Sequence, residues 1–309
     1  MADDKEGSSP NEAIFFVLAY LPVFELLAMA QVCKSLRDAI NNDILPWLKI
    51  VVDRPLNWRI SDEILVKIAS KAKGRLQVLA LINCVKITDD ALLSVIAQNP
   101  HITKLHVPNC TSLSPEGVVN AVKLLSKNNH MLKTLQINGV YGINNQQLET
   151  LHTLIINQSQ QHNRGKILYH EHTKLSTLDH ISNDDHRSID VDTCPVCNEV
   201  KMVFDCPQMP CQRLQHREIN SECKGCESCV ARCVECGVCV TNTQDLEEAL
   251  CSDTLCSDCW LKLPKCDFCN KPYCNKHADR QERVSESMVG FVCATCNADI
   301  LLKSYDSFL

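Results

Sequence analysis

The sequence predicts a multidomain α+β protein with a helical N-terminal unit, a short α/β solenoid and a small cysteine-rich module. Three observations support this prediction. Residues 9–50 read as helices broken by two prolines, residues 58–156 carry a repeat of aliphatic residues, and 18 of the 21 cysteines fall between Cys194 and Cys296. A chain of 309 residues is long enough for about two or three domains.

Composition and net charge are those of a globular protein and limit the classes of partner. Hydrophobic residues make up 45% of the chain and charged residues 22%, which is enough apolar material for a sizeable core. The net charge is −6, and the segment from Cys194 to Leu309 holds 12 Lys and Arg against 17 Asp and Glu. Because a phosphate backbone attracts positive charge, we expect a protein partner and no nucleic acid.

The N-terminal helical unit, residues 9–50, carries short motifs at fixed spacing. They are Pro10-Asn-Glu12, Tyr20-Leu21-Pro22, Glu25-Leu26-Leu27, Val32-Cys33, Arg37 and Trp47. This pattern resembles the F-box family. Ser9, Ala13 and Leu36 depart from the usual letters, and Leu36 stands where the family has Trp. The resemblance implies a helical fold that binds a Skp-type adaptor and, through it, a cullin scaffold.

The size of this helical unit independently favours a docking surface. A piece of about forty residues is too small to bury a complete core, and surplus apolar faces on it mark a surface for a partner. The alternative is that the helices only cap the solenoid that follows, since terminal repeats need a cap. We expect adaptor contacts from Pro10, Ile14, Leu21, Pro22, Leu26, Leu27, Val32, Leu36 and Trp47.

The second element, residues 56–157, is an internal repeat. Three segments align with the same internal spacing: Leu76-x-x-Leu79-x-Leu81-x-x-Cys84-x-x-Ile87, Ile102-x-x-Leu105-x-Val107-x-x-Cys110-x-x-Leu113 and Leu132-x-x-Leu135-x-Ile137-x-x-Val140-x-x-Ile143. They follow the leucine-rich-repeat pattern of a short strand, a turn and a helix. The predicted helices cover 89–98, 115–126 and 146–156, and 60–69 is the helix of a partial leading repeat.

Stacking of these repeats is what builds their common core. A single unit cannot bury its apolar side, and roughly three are the minimum for stability. Cys84 and Cys110 occupy the cysteine position of one repeat subtype. We therefore interpret them as interior packing residues and not as metal ligands.

Residues 158–192 are polar and rich in histidine, and they predict a linker or a last partial repeat. Within them, Lys166-Ile-Leu-Tyr169 is the candidate for a last repeat strand. The apolar run from Ala13 to Ala30 contains a proline and a glutamate and barely reaches the length that crosses a bilayer, so we expect no membrane span. The acidic N-terminus lacks the positive region of a secretory signal. We expect a reducing location, the nucleus or the cytoplasm or both.

The third element, residues 193–300, is dominated by Cys-x-x-Cys pairs. Two thiolates at this spacing face one ion, and zinc takes four such ligands tetrahedrally. Eighteen cysteines with His216 and His277 give twenty candidates, so we expect about three to five structural zinc ions. The predicted ligands are Cys194, Cys197, Cys206, Cys211, Cys223, Cys226, Cys229, Cys233, Cys236, Cys239, Cys251, Cys256, Cys259, Cys266, Cys269, Cys274, His277, Cys293 and Cys296, while His216 has no partner at short spacing.

The pairing of these ligands is open at this stage. A cross-brace, as in RING and FYVE fingers, would join Cys256-x-x-Cys259 with Cys274-x-x-His277 and Cys266-x-x-Cys269 with Cys293-x-x-Cys296. A sequential alternative joins Cys236 and Cys239 with Cys256 and Cys259. Upstream, we expect Cys194 and Cys197 to join a pair from the cluster at 223–229, and Cys206, Cys211 and Cys251 to complete another site.

The combined architecture predicts a non-catalytic role. The chain shows no P-loop, nucleotide-binding glycine fingerprint, Gly-x-Ser-x-Gly or His-Glu-x-x-His motif. It resembles plant F-box proteins of the Skp-interacting type, which implies the substrate-recognition subunit of a Skp–cullin–F-box (SCF) ubiquitin ligase that brings an unknown protein target for ubiquitination. The alternatives are a RING-like ligase acting through its own fingers, although no Cys-x-His-x-x-Cys centre is present, and a zinc-dependent nucleic-acid-binding regulator.

Overall fold

A computed structural model describes residues 12–127, 132–156, 166–174, 187–208, 223–240, 246–281 and 291–298. The chain divides into two compact units. Unit 1 takes its described residues from Met1–Arg164, Thr177–Thr193 and Glu199–Lys201. Unit 2 takes its described residues from Gly165–Ser176, Cys194–Asn198 and Met202–Leu309.

Unit 1 begins with three short helices separated by proline and extended residues. They are α1 (Glu12–Val17), α2 (Val23–Met29) and α3 (Lys34–Asn42), with 3-10 turns at Leu18–Tyr20 and Leu45–Trp47. Pro22 is the N-cap of α2 and Pro46 lies in the first turn of the second 3-10 segment. Proline suits the start of a helix because its missing N–H would have no partner there.

A parallel four-stranded sheet follows, in the order β1 (Lys49–Val52), β2 (Val78–Leu81), β3 (Lys104–His106) and β4 (Thr134–Gln136). Its register places Ile50, Leu79, Leu105 and Leu135 side by side, and all four are fully buried. The last three are the residues that the repeat alignment equates. Strand β1 precedes the predicted start of the repeats at residue 56, so the leading repeat has a strand as well as a helix.

Each strand leads into a helix, and the helices pack on their neighbours in chain order. They are α4 (Asp62–Ser70), α5 (Asp89–Gln98), α6 (Pro115–Lys127) and α7 (Asn145–Ile156). Aliphatic residues at helical spacing turn inward, for example Leu92, Val95 and Ile96 of α5. One hydrophobic core runs from Leu18 in the N-terminal turn to Val191, so the first helices and the sheet are packed as one body.

The turns after the strands repeat the same backbone conformation. Asn83, Asn109 and Gly139 lie at equivalent positions and have positive φ values of 55°, 55° and 84°, a region that asparagine and glycine enter most readily. In two of the three turns the next residue is a cysteine, Cys84 or Cys110, that the sequence predicts to lie in the interior. The thiol of Cys110 donates to the carbonyl of Leu81 at 3.1 Å, which supports the packing interpretation.

Acidic residues at the helix starts link each repeat to the next. The carboxylate of Asp62 accepts hydrogen bonds from the amide N and the hydroxyl of Thr88 at 3.0 and 2.6 Å. Asp89 does the same for Ser114 at 2.9 and 2.6 Å. Thr88 and Ser114 immediately precede α5 and the first turn of α6, so each carboxylate fixes the start of the following helix.

The far edge of the sheet is extended by residues 188–190 and not by the predicted Lys166–Tyr169. The amide of Leu135 donates to the carbonyl of Ser188 at 2.7 Å, and Ile189 bridges Leu135 in parallel. The buried carboxylate of Asp190 accepts from the amides of Ile137 and Asn138 at 2.8 and 3.0 Å. Burial raises the pKa of Asp190 to about 6, although these hydrogen bonds act to lower it.

The segment 166–169, the candidate for a last repeat strand, belongs instead to unit 2. There Leu168 bridges Asp205, and helix α8 (Tyr169–Lys174) begins at the tyrosine. The rings of Tyr169 and Phe204 pack in a T-shaped arrangement with their centroids 5.2 Å apart. In unit 1, β5 (Asp192–Thr193) pairs with β6 (Val200–Lys201).

The described part of unit 2 contains little regular structure. It has the antiparallel pairs β7 (Val203–Phe204) with β8 (Gly225–Cys226) and β9 (Leu246–Glu248) with β10 (Thr254–Cys256), helix α9 (Ser257–Lys262) and a 3-10 segment, Asn275–Arg280. Its hydrophobic clusters are small, and cysteines form much of each one. Within the described ranges, every helix of the chain is too short or too polar to span a bilayer.

Candidate metal centres and adaptor-binding surface

Unit 2 gathers its described cysteines into five clusters, and within each cluster the ligand atoms lie within 4.8 Å of one another. Three clusters have four cysteines, one has two cysteines with an aspartate and a histidine, and one has three cysteines. In chain order, the first is Cys194, Cys197, Cys226 and Cys229; the second is Cys206, Cys223 and Cys239; the third is Cys233, Cys236, Cys256 and Cys259; the fourth is Cys251, Asp253, Cys274 and His277; the fifth is Cys266, Cys269, Cys293 and Cys296.

Distances between the sulfur atoms fit a tetrahedral metal ion. Sγ–Sγ separations are 4.0 Å for Cys197 and Cys226, 3.8 Å for Cys236 and Cys256, and 3.9 Å for Cys269 and Cys293. Four sulfurs about 2.3 Å from a zinc ion would stand about 3.8 Å apart, whereas a disulfide holds its sulfurs about 2.0 Å apart. The thiolate clusters are therefore compatible with structural metal ions.

The first cysteine pair of each four-cysteine cluster sits in the same tight turn. The residue after the pair is Asn198, Gly237 or Asn270, with φ of 60°, 74° and 55°. Its amide donates to the carbonyl of the first cysteine at 2.8, 2.8 and 2.9 Å. A left-handed residue is needed to close this turn, which explains why asparagine or glycine follows these three pairs.

The second pair of each cluster comes from a different local structure. Cys256 is the N-cap of α9, so its partner three residues later lies in the first turn of that helix. Backbone amides of these pairs also point at sulfur: Cys226 N lies 3.4 Å from Cys194 Sγ, and Cys293 N lies 3.3 Å from Cys266 Sγ. Such hydrogen bonds stabilise thiolates.

The pKa values of the thiols follow from this crowding. Burial would raise the pKa of Cys194 and of Cys266, but backbone N–H donors outweigh it and lower each to about 6. A hydrogen bond from Cys236 lowers the pKa of Cys233 to about 5, and the same bond raises that of Cys236. Groups that are readily ionised and crowded by further thiols are suited to exchange their protons for a cation.

The fourth cluster contains a ligand type that the sequence interpretation did not include. Asp253 Oδ2 lies 3.1 Å from Cys251 Sγ, 3.0 Å from Cys274 Sγ and 3.1 Å from His277 Nδ1. Cys251 and Asp253 flank Ser252, whose φ is 64°, in the turn that joins β9 to β10. The signal available in the sequence was Cys-x-Asp beside a turn, but a lone aspartate in a cysteine-rich segment is not distinctive.

The second cluster has three described ligands and a buried arginine beside it. Cys206 Sγ and Cys239 Sγ are 3.9 Å apart. Arg232 bridges Cys239 in antiparallel fashion and donates through Nη2 to the carbonyls of Phe204 and Cys223 at 2.8 and 2.6 Å. The sequence analysis missed this residue, since a buried arginine has no sequence signature of its own.

Some of the predicted cysteine pairings are found in the structure and others are not. Cys194 and Cys197 do join a pair from 223–229, and Cys266 and Cys269 do join Cys293 and Cys296. Cys256 and Cys259 join the pair at 233–236, and neither Cys274-x-x-His277 nor Cys239 is in their cluster.

Backbone pairing explains this difference, because Val234 N donates to Thr254 O at 2.9 Å and brings the earlier turn beside β10, which ends at Cys256. Cys206 and Cys251 fall in separate clusters, while Cys211 and His216 lie outside the described residues.

The clusters are interleaved along the chain. The second cluster begins before the first is complete, and each later cluster likewise begins inside the span of the one before it. For example, Cys251 and Asp253 of the fourth cluster lie between the two pairs of the third. Every cluster therefore overlaps its neighbours in sequence, and a single cluster cannot be cut out of the chain without opening another.

The predicted adaptor contacts divide into core residues and exposed residues. Leu26, Leu36 and Trp47 are buried at 0%, 2% and 0% exposure, and the indole N–H of Trp47 donates to the carbonyl of Ile40 at 2.7 Å. These three hold the helices together and are not at the surface. The sequence pattern cannot distinguish residues of the core from residues that contact a partner, because both kinds are apolar.

The remaining predicted contacts lie nearer the surface. Ile14, Leu21 and Pro22 are half-buried and Leu27 and Val32 are exposed, while Pro10 lies outside the described residues. Further large apolar side chains in the same segment are exposed without having been predicted as contacts: Phe16 at 76%, Val17, Tyr20 at 78%, Phe24 and Leu45. Such a concentration of exposed apolar side chains marks an interaction surface.

Comparison with known proteins first defines the class. The model of the F-box domain matches residues 10–48, and the model of the At3g27290 F-box protein C-terminal domain matches residues 190–268. The first match covers the N-terminal helices, and the second covers most of the cluster-bearing segment. The molecule is an F-box protein.

Full-length relatives then give the family. F-box protein SKIP28 of Arabidopsis thaliana is 38% identical over 302 residues, which cover 95% of this chain and 92% of the relative. F-box protein SKIP14 of the same plant is 34% identical, and the match covers 84% of this chain and 56% of the relative. F-box protein At3g27290 is also 34% identical, with 76% and 62% covered. The chain belongs to the family of F-box proteins that includes SKIP28.

Proposed function

We propose that the chain is the substrate-recognition subunit of an SCF-type ubiquitin ligase, which acts in the nucleus or the cytoplasm or both. The observation that supports this most directly is the exposed apolar surface of the N-terminal helices. Phe16, Tyr20, Leu27 and Val32 face solvent, although the same helices also contribute to the core of unit 1. A cap for the solenoid needs only the buried side, so the exposed side is available to a Skp-type adaptor.

The strand–helix units of unit 1 are, in this proposal, leucine-rich repeats. Their support is the parallel register of Leu79, Leu105 and Leu135 together with the left-handed turn after each strand. The clusters of unit 2 hold zinc, which is borderline in softness and is bound by cysteine and histidine in structural sites. Cys211, which the sequence predicts as a zinc ligand, lies outside the described residues.

The role proposed for unit 2 is to hold a protein target, and no catalytic residue is assigned. Four clusters offer four protein ligands each, which fills the tetrahedral shell of zinc as in structural sites. Ubiquitin transfer would then take place on other subunits of the ligase. The excess of acidic over basic residues in this segment supports a protein target over a nucleic acid.

Adaptor binding tests the proposal. Replacing Leu27 and Val32 together by Asp puts two charges on exposed positions, so we expect binding of a purified Skp-type adaptor to weaken at least about tenfold, as one desolvated charge costs more than 1.4 kcal/mol. Affinity would be measured by titration calorimetry with the full chain. Circular dichroism would verify that the variant is folded.

Ile64→Asp is the matched control, because Ile64 is also a 47% exposed aliphatic residue of unit 1 but lies on α4. It should bind the adaptor as the unaltered chain does. Full adaptor affinity in the Leu27→Asp, Val32→Asp variant would contradict the proposed surface.

The interleaved order of the clusters supports a second candidate, a RING-like ligase that recruits a ubiquitin-conjugating enzyme directly. Cross-braced zinc fingers of that class share the interleaving. Incubation of the full chain with ubiquitin, activating enzyme and a panel of conjugating enzymes, without adaptor or cullin, separates the two. Formation of ubiquitin chains that stops when the metal is chelated would favour the RING-like role. If no ubiquitin chains form, the adaptor-dependent role stands.

A further inference from the structure

The fourth cluster is the place where the described residues carry chemistry beyond a set of thiolates. One oxygen, Asp253 Oδ2, lies within 3.1 Å of three other ligand atoms, on Cys251, Cys274 and His277. Cys274 Sγ is also 3.2 Å from His277 Nδ1. Four lone-pair-bearing atoms at such distances repel one another unless a cation or shared protons lie between them.

The position of Asp253 relative to the imidazole distinguishes a metal ligand from a supporting residue. A supporting carboxylate contacts the ring nitrogen that does not bind the metal. Here Oδ2 of Asp253 approaches Nδ1 of His277, which is the same nitrogen that faces Cys274 Sγ. The carboxylate and the imidazole therefore point their ligand atoms at a common centre.

The local backbone holds this carboxylate in place. The turn between β9 and β10 is closed by hydrogen bonds from Ala249 N to Asp253 O and from Ser252 N to Ala249 O, at 3.0 and 2.9 Å. Leu250 N donates to Pro272 O at 2.8 Å, which fixes the turn beside the segment that carries Cys274. Both halves of the cluster are thus tied together by main-chain contacts independent of the ligand side chains.

We propose that Asp253 is a direct metal ligand, so that the fourth cluster is a mixed site of two thiolates, one imidazole and one carboxylate. This inference rests on the proposed binding of zinc by unit 2. Zinc accepts all three ligand types. A site with two thiolates is less selective for soft metals and holds less negative charge than a four-thiolate site.

Cadmium-113 NMR of the cadmium-exchanged full chain tests this directly, because the chemical shift rises with the number of sulfur ligands. We expect one resonance at lower frequency than those of the four-cysteine clusters. In Asp253→Cys this resonance should move to higher frequency as a third sulfur binds. In Asp253→Ala it should vanish or shift, and one zinc ion should leave at an at least tenfold lower chelator concentration.

Glu248→Ala is the control, since Glu248 of β9 is an exposed carboxylate of the same unit that belongs to no described cluster, and its spectrum should match that of the unaltered chain. Unchanged resonances of the other clusters verify the fold of each variant. An unmoved low-frequency resonance in Asp253→Cys, or unchanged ion retention in Asp253→Ala, overturns the assignment of Asp253. No bound metal in the unaltered chain overturns instead the zinc binding on which it rests.

Discussion

Unit 1 and unit 2 are stabilised by different kinds of contact, and the order of those contacts along the chain differs as well. In unit 1 each strand and helix packs on the next one in sequence, around a continuous aliphatic core. In unit 2 the hydrophobic clusters are small, and cysteine ligands make up much of them. The first arrangement is stable through stacked neighbours, whereas the second, on the proposed binding of zinc, depends on ions that join distant segments.

The largest expected effect is the response to metal removal. Structural zinc contributes about 10–16 kcal/mol of binding free energy that is also folding free energy, and the clusters of unit 2 have little aliphatic core to replace it. Treatment of the full chain with a strong chelator should abolish amide protection in 246–281, while β2 and β3 keep theirs. Hydrogen exchange read by mass spectrometry would measure this, and equal loss in both units would erase the distinction between them.

The same substitution in the two units should have two different consequences. Cys266→Ser removes a ligand of the fifth cluster, so native mass spectrometry should count one fewer ion per chain. Cys110→Ser should leave the ion count unchanged and lower the free energy of unfolding of unit 1 by about 1–2 kcal/mol, because a buried hydroxyl costs more than a thiol although it still donates to Leu81 O. An ion lost in Cys110→Ser would mean that the repeat cysteines also bind metal.

The smallest effect concerns the polar links between repeats. Asp89→Ala removes both hydrogen bonds to Ser114, and we expect a loss of about 1 kcal/mol in the free energy of unfolding of unit 1, as for the loss of a helix cap. Asp90→Ala is the control, because this exposed neighbour shares the first turn of α5. The free energy of unfolding would be measured by urea denaturation. If both variants lost the same amount, the loss would come from the interaction of the carboxylates with the helix dipole and not from the hydrogen bonds to Ser114.

The repeats of unit 1 were predictable because their signal is periodic. Leu79, Leu105 and Leu135 recur with fixed flanking letters, and the register matches that alignment. Strand β1 was missed because Trp47, which lies three residues before Ile50 of that strand, also fits the F-box motif. The parallel pairing of Ile50 with Leu79 shows that Trp47 takes the place that Leu76 has in the next repeat. One residue satisfies both patterns, and the sequence alone could not separate them.

The members of the described clusters of unit 2, apart from Asp253, were predictable as a set, but the way in which they pair was only partly predictable. Cysteine identity and spacing report local turns, whereas pairing depends on backbone contacts between distant segments, such as Val234 with Thr254. Asn198, Gly237 and Asn270 were an unused signal, since the left-handed residue after a pair marks the first half of a four-cysteine cluster. The positions of Asp253 and Arg232 beside the clusters depend on tertiary contacts, and no local sequence motif indicates them.

The interleaving of the clusters bears on how the protein is made. The clusters are completed in chain order, at Cys229, Cys239, Cys259, His277 and Cys296. As the chain leaves the ribosome, each completed cluster already encloses the first ligands of the next one, which shortens the search for its remaining ligands. On the proposed zinc binding, synthesis therefore favours metal loading from the N-terminal to the C-terminal end. A premature stop after position 259 would release a chain with one half-built site, the fourth cluster, which would hold Cys251 and Asp253 without Cys274 and His277.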